Sequence, residues 1–348
     1  MKSFCNQYIV SFAQLLEERV AIDTISNNAY AKSYLQHLLE NKLYYLKIYA
    51  NAIDHAIQTS HLPIEKSTLL DYGSGNGLLA LFAKSIGFKH VFACDTSETF
   101  LTAAQNLSSQ LAISIDEWIL GDENIVSKVI VDKPLDYWIG IDVIEHVYSI
   151  PSLFNVINQM NPAMVTVFTT ASVNENPIKR RKLRQLMYRD EWLDSDASQS
   201  DDEQYSGMPF LEVRKKIISQ FLPSINADQL QEIAIQTRGL HKTDISAELH
   251  NFSKTQKLTY SPPDDFNTCN PISGSFTERL LPIEVYNEYY KNIGWKLAIH
   301  NGFYNDTSKT IKGVLLRLAN IAIEALGKKG IVISPFIVLV SSRPHNTK

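Results

Sequence analysis

The spacing of apolar positions changes near residue 62 of the chain. Before that point, apolar residues recur at intervals of three and four, as in the set Tyr34, Leu35, Leu38 and Leu39. This spacing predicts helices over residues 1 to about 60. Beyond residue 62, short apolar runs alternate with stretches of helical length, and this alternation predicts a doubly wound α/β fold around a parallel sheet.

The predicted strands are short, and several of them end at a carboxylate. They cover residues 67–72, 91–95, 118–120, 135–141, 164–169, 295–299 and 331–340. Helices are predicted between them over 78–86, 97–111 and 310–326. The alternation of strands and helices stops over residues 173 to about 270. These residues are polar, carry blocks of charge and lack the strand pattern. We therefore expect a large helical insertion after the fifth strand.

Four segments follow from this pattern. They are a helical cap over 1–62, a Rossmann-like core over 63–172, an insertion forming a lid and substrate region over 173–285, and the rest of a seven-stranded core with an extra helix over 286–348.

Composition narrows the class of protein. The 348 residues are 45% hydrophobic and 20% charged, which is typical of a globular chain rather than a disordered one. The net charge of −4 argues against a broad basic surface for nucleic acid. The three cysteines are too few and scattered for a disulfide framework, and the longest apolar run is too short to span a bilayer. We therefore expect a cytoplasmic protein without a nucleic-acid partner or a membrane span.

The strongest chemical signal is the sequence LLDYGSGNG at residues 69–77. A strand ends here, glycines permit a sharp turn, and a helix begins. Missing side chains let a ligand approach the backbone, and exposed N–H groups would favour anionic groups. The dinucleotide fingerprint G-x-G-x-x-G matches Gly73 and Gly75 but has Leu78 in place of its third glycine. A nicotinamide-dependent oxidoreductase is therefore the weaker interpretation.

The pattern Gly-x-Gly-x-Gly, with Asp71 two positions before it, resembles motif I of the class I S-adenosylmethionine-dependent methyltransferases. Three further landmarks follow in order: Asp95 at the end of the second strand, Gly121-Asp122 after the third, and the segment 134–147 around the fourth. The resemblance implies S-adenosylmethionine as cofactor and a mostly parallel sheet with an antiparallel last strand. The implied cofactor-binding residues are Asp71, Tyr72, Gly73, Ser74, Gly75, Asn76, Gly77, Asp95, Thr96, Gly121, Asp122, Asp142 and Val143.

Within this site the resemblance assigns separate roles to the carboxylates. Asp71 and the glycine loop would hold the methionine end, and Asp95 the ribose, whose diol can donate two hydrogen bonds to one carboxylate. Asp122 would meet the adenine, and the backbone of Asp142 and Val143 would form the pocket floor.

The segment Asp142-x-x-Glu145-His146 permits three interpretations. It can be pocket backbone followed by a helix start, or His146 can act as acid and base because histidine titrates near neutral pH. It also resembles the Glu-x-x-Glu-His metal site of some quinone-pathway O-methyltransferases, with aspartate in the first position. We name His146 as proton acceptor, with His241 of the insertion as the second candidate, and expect no metal.

The resemblance implies methyl transfer from S-adenosylmethionine. Because the insertion and the N-terminal helices would close over the substrate and the net charge is −4, we expect a small-molecule acceptor, as in O-methylation of a sugar, a nucleotide-linked sugar or a secondary-metabolite hydroxyl. Residues 270–282 and 327–335 also resemble, loosely, uncharacterised bacterial methyltransferases often grouped with surface-polysaccharide genes. A non-catalytic S-adenosylmethionine-binding scaffold stays open as an alternative. The oligomeric state does not follow from the sequence.

Overall fold

A computed structural model describes residues 3–130, 134–161, 163–194 and 205–344. The chain divides into two compact units. The first consists of Met1–Ile144, Ile150–Ala171 and Ile283–Lys348, and the second of Glu145–Ser149 and Ser172–Pro282. The large insertion is therefore a compact unit of its own. This unit also includes the short segment Glu145–Ser149, which carries His146.

The first unit is built on one seven-stranded sheet. Its strands are β1 (Thr68–Tyr72), β2 (His90–Asp95), β3 (Glu117–Leu120), β4 (Tyr137–Ile141), β5 (Val165–Thr170), β6 (Lys296–Asn301) and β7 (Ile337–Ser342). They lie in the order β3-β2-β1-β4-β5-β7-β6. Neighbours from β3 to β5 pair in parallel, whereas β7 is antiparallel to both β5 and β6. The predicted fold class, including the antiparallel last strand, is confirmed.

The last strand begins later than the sequence analysis placed it. Residues 327–333 form a 3-10 helix, and β7 starts only at Ile337. Pro335 lies between the two elements and has no N–H to give to a ladder, so the apolar run cannot form one continuous strand from residue 331.

Helices surround the sheet of the first unit. They are α1 (Ile9–Arg19), α2 (Ala29–Glu40), α3 (Lys42–Ser60), α4 (Leu78–Ser85), α5 (Glu98–Leu111), α6 (Glu123–Val129), α7 (Ile150–Met160), α12 (Ile283–Asn292) and α13 (Ile311–Leu326). The predicted N-terminal helices are present, and they contribute to the main core. Ile53 of α3 and Val167 of β5, for example, are fully buried in the same apolar cluster.

The second unit contains α8 (Pro177–Trp192), α9 (Phe210–Phe221), α10 (Ala227–Gln236) and α11 (Lys242–Thr255). Its core includes Ile218, Ile245 and Leu249. Glu191 and Arg214 are both buried and form an ion pair, and Arg214 also donates to the carbonyl of Ala234 at 2.8 Å. A buried charge needs such partners to offset its lost hydration. Among the described residues, no helix has both the length and the apolar character to cross a bilayer.

Candidate cofactor site

The strand order reverses between β1 and β4, which lie side by side although two strands separate them in the sequence. In open α/β sheets, ligands bind outside the carboxyl ends of the strands at such a reversal. The loop 73–77 follows β1 at this place and leads directly into α4. The predicted glycine motif is therefore at the position where open α/β sheets bind their ligands.

The three loop glycines all have left-handed backbone angles, with φ of +71° at Gly73, +51° at Gly75 and +73° at Gly77. Space is also restricted. A Cβ on Gly73 would lie 2.3 Å from Cγ2 of Val143, and one on Gly75 would lie 3.5 Å from Cε1 of Tyr34. Both conformation and close packing therefore require glycine at position 73, and Val143 contacts the loop through its side chain.

Most of the loop N–H groups are used within the protein. Gly73 and Ser74 donate to the carbonyl of Cys94 at 2.8 and 2.9 Å, and Gly77 donates to the carbonyl of Ser74 at 2.8 Å. Gly75 donates to Oδ2 of Asp95 at 2.8 Å. The expectation that these groups are exposed for an anionic ligand is wrong, because the end of β2 accepts them first.

Two carboxylates flank the loop. Asp95 accepts from Gly75 with one oxygen and from the N–H of Ser97, at 2.9 Å, with the other. Asp71 is 2% exposed and accepts from the N–H of Ala80 at 3.0 Å. Burial raises the pKa of Asp71 to about 8. Burial also raises the pKa of Asp95, although backbone N–H groups oppose the shift. Thr96, beside Asp95, is exposed.

The other predicted contacts have structural partners of their own. Asp122 caps α6 by accepting from the N–H groups of Asn124 and Ile125 at 3.0 and 3.2 Å. Tyr72 is buried, and its hydroxyl donates to Glu123 at 2.9 Å. The N–H of Gly121 donates to the carbonyl of Asp95 at 2.9 Å. Their assignment to the cofactor stays a prediction.

The N-terminal helices contribute tyrosines that the sequence analysis did not single out. Tyr34 of α2 contacts the loop beside Gly75 and packs edge-on against Phe100, with 5.5 Å between ring centroids. Burial, followed by the carboxylate of Asp142, raises the pKa of Tyr44 and Tyr45. These phenols therefore lie within electrostatic range of the end of β4. Tyr34 is 39% exposed, so its ring reaches the surface beside the loop.

Asp142 has φ of +50° and is exposed, and its N–H donates to the carbonyl of Thr169 at 3.1 Å. Aspartate tolerates this left-handed backbone better than a branched residue does. The turn at Asp142 leads the chain from β4 to Val143. A Cβ placed on Gly140 would lie only 2.5 Å from Cγ1 of Val143, so the two residues are closely packed.

The second unit brings together His146, Glu145 and Glu278, whose potential ligand atoms all lie within 4.8 Å of one another. Nδ1 of His146 lies 2.7 Å from the carbonyl oxygen of Phe276. Because a carbonyl only accepts, Nδ1 carries the proton and Nε2 has the lone pair. This geometry suits either a proton acceptor or a metal ligand. Asp142 is not a member of the cluster, so the predicted Asp-x-x-Glu-His ligand set is not the one assembled here.

His241 has a different environment within the second unit. It caps α11, with Nδ1 accepting from the N–H of Thr243 at 3.3 Å. Its Nε2 lies 2.8 Å from the carbonyl oxygen of Ile272 and must donate to it. Both ring nitrogens thus have structural partners, which favours His146 over His241 as the proton acceptor.

A search with models of known protein families finds no match. Among curated proteins, the chain is 34% identical over 79 residues to a ribosomal protein L11 methyltransferase of Legionella pneumophila, covering 21% of this chain and 27% of that protein. It is 27% identical over 157 residues to protein arginine N-methyltransferase 2 of Dictyostelium discoideum, covering 45% and 31%. These two relatives are methyltransferases, and the matches cover less than half of this chain.

Two solved methyltransferases are similar to this chain at low sequence identity. One from Listeria monocytogenes has a TM-score of 0.44 and 11% identity, covering 85% of this chain and 98% of its own. One from Clostridium acetobutylicum has a TM-score of 0.44 and 12% identity, covering 91% and 99%. The chain spans only about a third or less of the curated relatives that it matches.

The loop after β1 fits S-adenosylmethionine, the cofactor that the sequence resemblance implies. Three of the five loop residues are glycines, and Oγ of Ser74 and Oδ1 of Asn76 in the same loop are buried with no hydrogen-bond partner among the described residues. Buried polar atoms of this kind need a partner, which a bound ligand supplies. The assignment of residues 71–77 and Asp95 to the cofactor stays a prediction with which these buried polar atoms are consistent.

Proposed function

We propose that this chain transfers a methyl group from S-adenosylmethionine to a small hydroxylated acceptor. The observation that carries the proposal is the anchored Asp95 carboxylate beside three left-handed glycines at the strand reversal. A carboxylate held by two backbone N–H groups has a fixed orientation, and a carboxylate can accept from both hydroxyls of a ribose.

The bound cofactor supplies an already activated methyl group, so the protein has to align the acceptor and exclude water. Tyr34, Tyr44 and Tyr45 of the N-terminal helices are suited to this work. Their rings are amphipathic, and their phenols stay protonated because burial and Asp142 raise the pKa of Tyr44 and Tyr45. The hydroxyl of Tyr44 donates to the carbonyl of Phe303 at 3.1 Å, and that of Tyr45 lies 3.0 Å from Nε2 of His37. We therefore assign the hydrogen bond to an acceptor's oxygen atom to the phenol of Tyr34.

A hydroxyl acceptor must lose a proton as it reacts, and we assign that proton to Nε2 of His146. The carbonyl of Phe276 fixes the tautomer that leaves Nε2 as the basic atom. A ring nitrogen that carries the lone pair can accept the proton of a hydroxyl as a general base.

The acceptor class rests on charge. A net charge of −4 disfavours a nucleic-acid acceptor, whereas the curated relatives are named for a ribosomal protein and for protein arginine. A protein acceptor is therefore the second candidate, favoured by those relatives. Methylation of a protein would place the acceptor atom on a side chain rather than on a free hydroxylated compound.

The test measures S-adenosylhomocysteine release by the full chain with three acceptor sets: small hydroxylated compounds, ribosomal proteins and RNA. Release with the small compounds, reduced at subsaturating cofactor in Asp95→Ala and reduced at saturating cofactor in His146→Gln, is the expected result. Release with ribosomal proteins alone would replace the proposed acceptor. Tight cofactor binding without release from any set would favour the non-catalytic scaffold.

A further inference from the structure

Helix α13 presents an apolar face to solvent. Its exposed apolar side chains, with their exposed fractions, are Ile311 (82%), Val314 (46%), Leu315 (60%), Leu318 (57%), Ile321 (61%) and Leu326 (46%). At about 100° per residue, these positions and the two alanines at 322 and 325 fall within one arc of about 140°. The apolar face is therefore continuous along the helix, and we call it the α13 face.

The opposite side of α13 is fixed to the first unit by polar contacts. The side chain of Asn320 accepts from the N–H of Tyr304 at 2.7 Å and donates to its carbonyl at 3.1 Å. Arg317 donates to the carbonyls of Asp306 and Ser308 at 3.0 and 3.1 Å. A surface helix normally turns its apolar stripe inwards. In α13 the inward side carries Asn320, which is hydrogen-bonded to the backbone of Tyr304. Because these bonds fix the orientation of the helix, its apolar stripe faces outwards.

Basic side chains surround this face at both ends. Lys309 and Lys312 lie at the start of the helix, and Lys328 and Lys329 just after its end, all of them exposed. From residue 309 to 329 there are five basic residues and one acidic residue, a net charge of +4, whereas the whole chain has −4. The positive charge is thus concentrated where the apolar face is.

This charge pattern distinguishes between two possible partners of the α13 face, a second copy of the chain and an anionic lipid surface. A second copy related by a two-fold axis would pack α13 against itself, either antiparallel or parallel, and both arrangements bring lysine-bearing helix ends together because both ends of α13 carry lysines. Glu324 is the single acidic residue in this segment, so these like charges would repel without compensation. An anionic lipid surface instead offers hydrocarbon to the apolar face and negative headgroups to the lysines.

We propose that the α13 face binds the surface of anionic lipid membranes. The helix lies in the plane of the interface with Leu315 and Leu318 among the acyl chains, and the flanking lysines meet the headgroups. This is surface binding rather than spanning, since the helix has only 16 residues. The proposal rests on α13 alone and does not depend on the methyltransferase activity.

The test is co-sedimentation of the full chain with vesicles of phosphatidylcholine alone or mixed with phosphatidylglycerol. We expect binding to the mixed vesicles that weakens as salt is added, because salt screens the lysine–headgroup attraction. Leu315→Ser with Leu318→Ser should abolish binding. Lys328→Gln with Lys329→Gln should lower the partition coefficient by more than about tenfold, at about fivefold per cation.

Matched controls are available on other exposed positions. Ile178→Ser with Leu193→Ser removes apolar side chains that are 80% and 63% exposed, and Lys254→Gln with Lys257→Gln removes two exposed lysines. Both controls should bind vesicles like the native chain. Equal binding by the Leu315/Leu318 variant, no binding by the native chain, or a dimer that this variant converts to monomer would each overturn the proposal.

Discussion

Replacement of Asp95 by alanine tests the centre of the proposed site. Both carboxylate oxygens are engaged, one by the N–H of Gly75 at 2.8 Å and the other by that of Ser97 at 2.9 Å. The side chain therefore ties the glycine loop to the start of α5. The substitution removes the ribose acceptor and also releases the loop, so it should affect both cofactor affinity and stability.

The magnitude can be worked out for each effect. Loss of the charged hydrogen bonds to the ribose should weaken S-adenosylmethionine binding by about 1–3 kcal/mol. At about 1.4 kcal/mol per factor of ten, the dissociation constant should rise about 5- to 150-fold. The folded protein should lose about 1–3 kcal/mol of stability in addition, since two backbone N–H groups lose a partly buried acceptor.

Isothermal titration calorimetry measures the affinity, and urea unfolding without cofactor measures the stability. Asp116→Ala is the matched control. Asp116 also accepts from a backbone N–H, that of Val91 at 2.9 Å, but it does so at the amino end of β2. The control should lose stability while keeping cofactor affinity. If Asp95→Ala binds the cofactor as tightly as the native chain, Asp95 does not contact the ribose and the site assignment fails.

Three further changes test other parts of the structure. Gly73→Ala should destabilise the fold by about 1–3 kcal/mol more than Gly294→Ala, as measured by urea unfolding. Both glycines have similar positive φ angles, but only at position 73 would the added Cβ clash, with the side chain of Val143. Equal losses of stability in the two variants would contradict this reasoning. Burial keeps Asp71 protonated in the folded state up to its pKa of about 8, whereas the unfolded carboxyl ionises near 4. The free energy of unfolding should therefore fall as pH rises between these values, by a few kcal/mol, and Asp71→Asn should flatten that part of the profile. His241→Ala should lower the thermal stability by about 1 kcal/mol through loss of the α11 cap, and His241→Asn should restore the cap and keep native turnover; turnover lost in both variants would instead make His241 the base and exclude His146.

The sheet was predictable because each parallel strand is a short apolar run that stands apart from its neighbours. Burial on both faces makes β1 and β5 almost continuously apolar or small. The glycine loop was predictable for a similar reason, since left-handed angles leave few residue types to choose from. By contrast, whether an N–H of Gly73 or Ser74 is free depends on the carbonyl of Cys94, twenty residues away, and no local pattern shows that contact.

The clusters that draw on distant residues were not predictable. His146 meets Glu278 only because the insertion folds back on the segment 145–149, and the sequence separates the two by more than 130 residues. The position of Tyr34 beside the loop was not predictable for another reason. Its spacing fits the apolar stripe of α2, and a helical pattern cannot distinguish a ring in the core from one at the edge of a crevice.

The internal use of the loop N–H groups favours one cofactor over another. A dinucleotide places its pyrophosphate against free N–H groups at a helix N-terminus. Here Gly73, Ser74, Gly75 and Gly77 already donate to protein acceptors. Carboxylates at the ends of β2 and β4 would also repel a pyrophosphate, whereas they attract the positive charge of a sulfonium. A crevice with few free donors and several acidic side chains therefore suits S-adenosylmethionine better than a nicotinamide dinucleotide, independently of the missing third glycine.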